Sequence, residues 1–137
     1  FGKSDLSAWG CEATHMGELA YEQMSAAYAR GRVGLNVMRW QDDAGINLKP
    51  LEIGASGVAC ASVRRVGLAG ALQPATEVEI FDGPLGALAC VDHLLRDAVH
   101  RDALARRARE RVEREHTWAS RARALTEVVS GGVRIAA

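Results

Sequence analysis

The chain has 137 residues, of which 48% are hydrophobic and 25% charged, so it fits one globular domain and is not expected to be disordered. Its formal net charge is zero, which argues against a dedicated nucleic-acid or acidic-membrane binder. No apolar run approaches the roughly 18 to 20 residues that a membrane span requires. Three widely separated cysteines, Cys11, Cys60 and Cys90, form no CxxC pair and indicate reduced thiols in a cytoplasmic protein.

The first half of the chain alternates between helical and extended patterns. Helical spacing covers 19–30 and is stopped by Gly31. A short apolar run at 33–38 predicts a buried parallel strand, and the polar loop 39–47 follows it. The next segments are predicted to be a helix over 48–56, ended by Gly57, and a strand over 58–61.

The second half is predicted to be mainly helical. A loop with a helical turn near 68–72 leads to a strand over 77–81 and a turn at Asp82-Gly83-Pro84. Three helices then fill about 85–130, and Thr117 is the expected N-cap of the last. Trp118 is predicted to be a core residue of that helix. The apolar stripes of these helices are Leu85, Leu88, Val91 and Leu95; Leu104, Ala108 and Val112; and Trp118, Ala122, Leu125 and Val129.

This order of elements predicts an α/β fold, with a Rossmann-like parallel sheet flanked by helices and a helical C-terminal part. In such folds ligands bind outside the carboxyl ends of the strands. The loop 39–47 leaves a strand and enters a helix, so it is the first place to expect a site.

Residues at the end of this loop have the chemistry of an anion and sugar site. Gly45 lets the backbone approach a ligand closely, and the amides after it lie at a helix start, where they suit a diphosphate. Lys49 adds a cation, and the carboxylate of Glu52 suits a pair of sugar hydroxyls. The alternative is an ordinary helix start, capped by Asp43 or Asn47, with Glu52 solvated.

Four stretches of the chain, taken in order, resemble the C-terminal half of GT-B glycosyltransferases of group 1, in the branch of spore-maturation-protein-like enzymes. The main one is GINLKPLEIGASGVACAS, where the family has an E-x7-E motif opening into a helix, then Gly and a strand. The others are YEQMSAAYARGRVGLN, VGLAGALQPATEVEIFD and RERVEREHTWASRARAL.

The resemblance implies roles for individual residues. Glu52 falls on the second Glu of the motif, which in the family holds the nucleotide ribose, whereas Ala44 replaces the first Glu. That departure leaves the stereochemistry and the activity open. The next residues fall on the stretch whose backbone amides approach the diphosphate and sugar. With the basic Lys49 and with Glu52, the expected nucleotide-sugar site is therefore Gly45, Ile46, Asn47, Leu48, Lys49 and Glu52.

The resemblance further implies that residues 1–137 are a single partial nucleotide-sugar-binding domain. The expected partners are a nucleoside diphosphate sugar, bound as a substrate, and an N-terminal acceptor domain, and no cofactor is expected. The chain alone is then expected to be inactive and, because a truncated sheet exposes apolar surface, to self-associate. The alternative function is a non-catalytic α/β interaction module.

Two further groups of residues are interpreted as structural. The histidines His15, His93, His100 and His116 have no regular metal-binding spacing, so no metal site is predicted. The Arg-rich segment 100–114 carries interspersed acids, so a solvated helix face with ion pairs is preferred over a nucleic-acid helix.

Overall fold

The computed structural model describes residues 18–38 and 45–131, which form a parallel sheet with helices around it. The three strands follow one another in space in the same order as in the chain. Val33 pairs with Ala59, and Ala61 pairs with Glu79. The strands are β1 (Val33–Asn36), β2 (Ala59–Val63) and β3 (Glu79–Phe81).

Helices connect and follow the strands. A short 3-10 turn, Tyr21–Gln23, leads into the first helix, and Thr117 caps the last by accepting a hydrogen bond from the Ser120 amide at 3.1 Å. The predicted α/β class and parallel sheet are confirmed, with element bounds shifted by a few residues. The helices are α1 (Met24–Ala29), α2 (Lys49–Ala55), α3 (Leu68–Ala71), α4 (Gly83–Arg96), α5 (Ala98–Glu115) and α6 (Trp118–Ser130).

Strand β2 lies between two hydrophobic clusters because successive side chains of a strand point to opposite faces. Cys60 contributes to a cluster with α2 and α3, whereas Ala59 and Ala61 contribute to one with α4 and α5. Cys60 is a free, fully buried thiol whose pKa is raised to about 12, mainly by burial, so it acts as a small apolar side chain. Cys90 is also free, and Cys11 lies outside the described residues.

A glycine brings α2 into close contact with β1. A Cβ atom added to Gly34 would lie 2.6 Å from Cγ2 of Ile53, a fully buried residue of α2. At its other end, α2 stops at Gly57, whose φ of +72° is a left-handed conformation that glycine adopts without strain. The stop predicted at Gly57 is thus confirmed, and the two glycines fix where α2 lies against the sheet.

The apolar stripe of α6 is not part of the hydrophobic core of the described residues. Trp118, Leu125 and Val129 are 80%, 65% and 73% exposed, so the prediction that Trp118 is a core residue was wrong. The stripe has helical spacing, but the described residues include no element that covers it. The stripe of α4 is also largely exposed at Leu85 and Leu88, because α4 packs through its smaller residues and Leu94.

Helix α5 agrees with its predicted pattern. Leu104, Ala108 and Val112 are buried, and the opposite face carries ion pairs one turn apart, such as Arg109 with Glu113 at 2.7 Å. These pairs are the expected feature of a solvated helix face. Among the residues described, no helix is both long enough and apolar enough to cross a bilayer.

We predict that Gly34→Ala lowers the free energy of unfolding by about 1 to 3 kcal/mol, because the new methyl group overlaps the Ile53 side chain in a packed core. Urea denaturation followed by circular dichroism measures this. The control is Gly70→Ala in α3, where an added Cβ has no atom within 4 Å and no loss is expected. An unchanged stability of Gly34→Ala would mean that α2 does not lie this close to β1.

We also predict that the chain self-associates through the exposed stripe of α6, since burial of contiguous apolar surface favours association. Sedimentation velocity over a wide concentration range should show a mass that rises with concentration. The double variant Leu125→Glu/Val129→Glu should shift the chain toward monomer. A monomer mass at every concentration contradicts the prediction.

Candidate functional site

Three polar side chains are joined by hydrogen bonds at the carboxyl end of the sheet. Asn36, the last residue of β1, donates from Nδ2 to Oγ of Ser62 on β2 at 3.0 Å. Asn47, in the loop that enters α2, donates from Nδ2 to Oδ1 of Asn36 at 3.0 Å. Asn36 and Ser62 are each only 1% exposed, so the network joins Asn47 to the sheet through buried side chains.

Asn47 does not cap α2. Its side-chain Nδ2 donates to Asn36, and its Oδ1 is buried with no hydrogen-bond partner among the residues described. The N-cap position is Leu48, whose side chain cannot cap, and the alternative of a cap by Asn47 is therefore wrong. Asp43, the other cap considered, lies outside the described residues, as do Ala44 and Trp40.

The other predicted loop residues differ in their surroundings. Ile46 packs against the cluster of α2 and α3, whereas Leu48 and Lys49 are exposed at the start of α2. Gly45 is half-buried. The stretch thus has one anchored side chain, Ile46, one hydrogen-bonded side chain, Asn47, and two side chains that face solvent.

Glu52 lies at two adjoining crevices. One is lined by Glu52 together with Tyr21, Leu48, Trp118 and other residues of α2, α5 and α6. The second lies on the other side of Glu52, against the 3-10 turn and the start of α1, and Tyr21 lines both. The carboxylate also acts on α1: burial, followed by the charge of Glu52, raises the pKa of Tyr28. Glu52 is therefore half-buried at a crevice and not simply solvated.

A guanidinium from α6 lines the first crevice. Arg121 donates from Nη2 to Nδ1 of His116 at 3.1 Å, and His116 Nε2 lies 2.9 Å from the carbonyl oxygen of Ala71. Because Arg121 cannot accept and a carbonyl cannot donate, these two contacts match the tautomer of His116 with its proton on Nε2. His116 thus orients Arg121, which also lines a more open pocket with Ile46 and Gly67.

Beyond these crevices, the carboxyl edge has a charged pair. Arg64, directly after β2, donates from Nε and Nη2 to the carboxylate of Asp82, directly after β3, at 2.9 to 3.0 Å. The hydrogen bond from Arg64 lowers the pKa of Asp82. Both side chains are exposed, so this pair contributes little to stability but connects the ends of two strands.

Sequence reasoning missed the residues that reach the site from distant segments. Asn36 lies within the run 33–38 that was predicted to be a strand, and a polar residue inside such an apolar run is a usable signal. Ser62 lies in an otherwise apolar strand and gives the same signal. Arg121 and His116 offered none, since their approach to Glu52 depends on how α5 and α6 pack.

We predict that Asn36→Ala lowers the free energy of unfolding by about 1 to 3 kcal/mol, because it removes both hydrogen bonds of the network and leaves Nδ2 of Asn47 without its acceptor. Asn47→Ala should also lower the free energy of unfolding, because Oδ1 of the buried Asn36 then lacks its donor. Denaturation of both variants in urea measures the two losses. Unchanged stability of both variants would show that the network does not hold Asn47 to the sheet.

Comparisons with known proteins agree with this architecture. A solved structure of sucrose-phosphate synthase from Thermosynechococcus elongatus is similar in fold, with a TM-score of 0.79 and 17% sequence identity. The similarity covers 92% of this chain and 32% of that one, so the chain spans about a third of its length. No curated protein sequence matches the chain.

The sequence profile of one protein family covers almost the whole chain. It is described as glycosyl transferase-like and matches residues 1–127. The match includes the carboxyl-end network and both crevices at Glu52. The finer resemblance to the spore-maturation-protein-like branch stays a prediction. The chain belongs to the glycosyl transferase-like family and has the fold of part of a GT-B glycosyltransferase.

Proposed function

We propose that this chain is the donor-binding part of a glycosyltransferase that moves a sugar from a nucleoside diphosphate sugar to an acceptor. The observation that carries the proposal is the position of Glu52, half-buried where two crevices meet in a chain of this family. The whole enzyme, and not this chain alone, is proposed to be active.

Glu52 is proposed to hold the ribose. An ionised carboxylate only accepts hydrogen bonds, and its two oxygens match the two adjacent hydroxyls of a ribose. Tyr21 and Trp118 line the first crevice together with Glu52. Exposed aromatic rings offer stacking surfaces for a base, a contact that is worth about 1 to 3 kcal/mol in single-stranded nucleic-acid sites. The crevice therefore offers groups for both halves of a nucleoside.

The diphosphate is proposed to lie along the stretch Gly45, Ile46, Asn47 and Leu48. Its backbone amides, with the cations of Lys49 and Arg121, would stabilise the negative charge that develops on a leaving diphosphate. Arg121 supports this because it lines both the crevice at Glu52 and the pocket at Ile46. The network of Asn36, Ser62 and Asn47 supports it further, since a backbone held in place at Asn47 need not rearrange there on binding.

The size of the crevices supports a shared site. Their volumes are about 160 and 300 Å³, at or below the lower end of the roughly 300 to 1,000 Å³ usual for small-molecule sites. Each therefore fits part of a nucleotide sugar. We propose that an N-terminal acceptor domain supplies the remaining walls of the site and the acceptor.

A non-catalytic role is the second candidate, and two observations favour it. Ala44 occupies the position of the first motif Glu, and α6 exposes an apolar face that suits a protein partner. Such a module is not expected to bind nucleotide sugars. Binding of these ligands therefore separates the two candidates.

We predict that Glu52→Ala weakens binding of a nucleoside diphosphate sugar by about 1 to 3 kcal/mol, the usual value of hydrogen bonds to a charged group. Isothermal titration calorimetry with UDP-glucose and with GDP-mannose tests this on the full chain and on the protein joined to its acceptor domain. The matched control is Glu110→Ala, which removes an exposed carboxylate of α5 that pairs with Arg106.

Three results are informative. Weaker binding in Glu52→Ala alone supports the ribose contact. Equal affinity in both variants rejects the role of Glu52 while leaving donor binding in place. No binding of either ligand in the protein joined to its acceptor domain favours the non-catalytic module.

A further inference from the structure

Three potential metal ligands meet on the other side of the sheet from α2. Glu79 is on β3, His93 is near the end of α4, and His100 is in the first turn of α5. One ligand atom from each lies within 4.8 Å of the other two. Nε2 of His100 is 2.7 Å from Oε1 of Glu79, and the rings of His93 and His100 have centroids 5.2 Å apart.

We infer that Glu79, His93 and His100 form a binding site for a divalent transition metal ion such as Zn²⁺. Two imidazoles and one carboxylate are a ligand set typical of zinc, and the hard Mg²⁺ ion prefers oxygen ligands alone. Three protein ligands leave a fourth position for water. Coordination replaces the hydrogen bond between His100 and Glu79 with two bonds to the metal, and the proton of that hydrogen bond moves to Nδ1 of His100 or to solvent.

The local geometry suits this site. Tetrahedral Zn²⁺ at about 2.0 to 2.1 Å from each ligand needs ligand atoms about 3.3 Å apart, so His100 and Glu79 must separate slightly and His93 must move inward. Glu79 and His100 are mostly buried, with side chains 20% and 28% exposed, whereas His93 is exposed and has room to turn. His100 is held in place because its backbone amide donates to Oδ1 of Asp97 at 2.8 Å, the N-cap of α5.

A simpler interpretation is an ion pair between Glu79 and His100 that ties β3 to α5. In that interpretation His93 has no role, although its ring on α4 lies next to the ring of His100. Substitution of His93 therefore distinguishes a metal site from an ion pair. Because His93 is exposed, the variant is expected to fold.

The site is independent of the proposed donor site. Among the described residues, those that line the crevices at Glu52 belong to the N-terminal turn and to α1, α2, α5 and α6, and do not include Glu79, His93 or His100. A metal here would connect β3, α4 and α5. Its presence or absence can be tested without any assay of sugar transfer.

The experiment titrates Zn²⁺ into chelator-treated, tag-free full chain by calorimetry, with thermal unfolding measured in Zn²⁺ and in Mg²⁺. We expect one equivalent of Zn²⁺ to bind and to raise the melting temperature, since a ligand that binds only the folded state stabilises it. Mg²⁺ should have no such effect. His93→Ala should weaken Zn²⁺ binding at least about tenfold, the scale seen even when only a supporting partner of a metal ligand is removed.

The matched control is Asp92→Asn, which changes the residue next to His93 on α4 and breaks only a surface pair with Arg96. It should bind Zn²⁺ as the unchanged chain does. Without metal, His93→Ala should melt at the temperature of the unchanged chain. Absence of Zn²⁺ binding, equal affinity in His93→Ala, or equal stabilisation by Mg²⁺ would each overturn the inference.

Discussion

The contact between Gly34 and Ile53 sets the position of α2 on the sheet, and with it the positions of Asn47 and Glu52 at the candidate site. Because Gly34 has no side chain, Ile53 of α2 packs directly against the backbone of β1. This contact fixes the position of α2 along the strand. Asn47, just before α2, then comes within hydrogen-bond distance of Asn36. The side chain of Glu52, the neighbour of Ile53, points about 100° away from that of Ile53 around the helix axis. It therefore lies at the crevices and not in the core. One missing methyl group therefore places both a polar network and a carboxylate.

Local patterns predicted most of the fold but failed where packing decides. The stripe of α5 and the stop at Gly57 were predicted correctly, because burial and backbone conformation follow from a few neighbouring residues. The stripes of α4 and α6 have the same spacing but are largely exposed. Periodicity shows that a helix has an apolar face, and only the tertiary structure shows whether another element covers it.

The same distinction between local pattern and tertiary packing applies to the residues of the candidate site. Glu52 and the stretch from Gly45 to Lys49 could be selected from the sequence, because a glycine, a helix start and a carboxylate follow one another within one segment. Asn36 and Ser62 are 26 residues apart and meet only because β1 and β2 pair in register. Glu79 and His100 are 21 residues apart and lie on different elements, so rules based on ligand spacing along the chain could not have found them.

Strand β2 separates the two regions, since its side chains alternate between them. Ser62 belongs to the network with Asn36 and Asn47, and Ala61 belongs to the cluster of α4 and α5. A metal that holds Glu79, His93 and His100 together would restrain β3, α4 and α5, and its effect would reach Asn36 through the hydrogen bonds of β2. A three-stranded sheet transmits small displacements through its hydrogen bonds. Coupling between distant sites requires an element with two alternative conformations, and Asn36 and Ser62 have only one in this structure. The metal would therefore act on stability, and binding at the proposed donor site would depend on α2 and the crevices beside it.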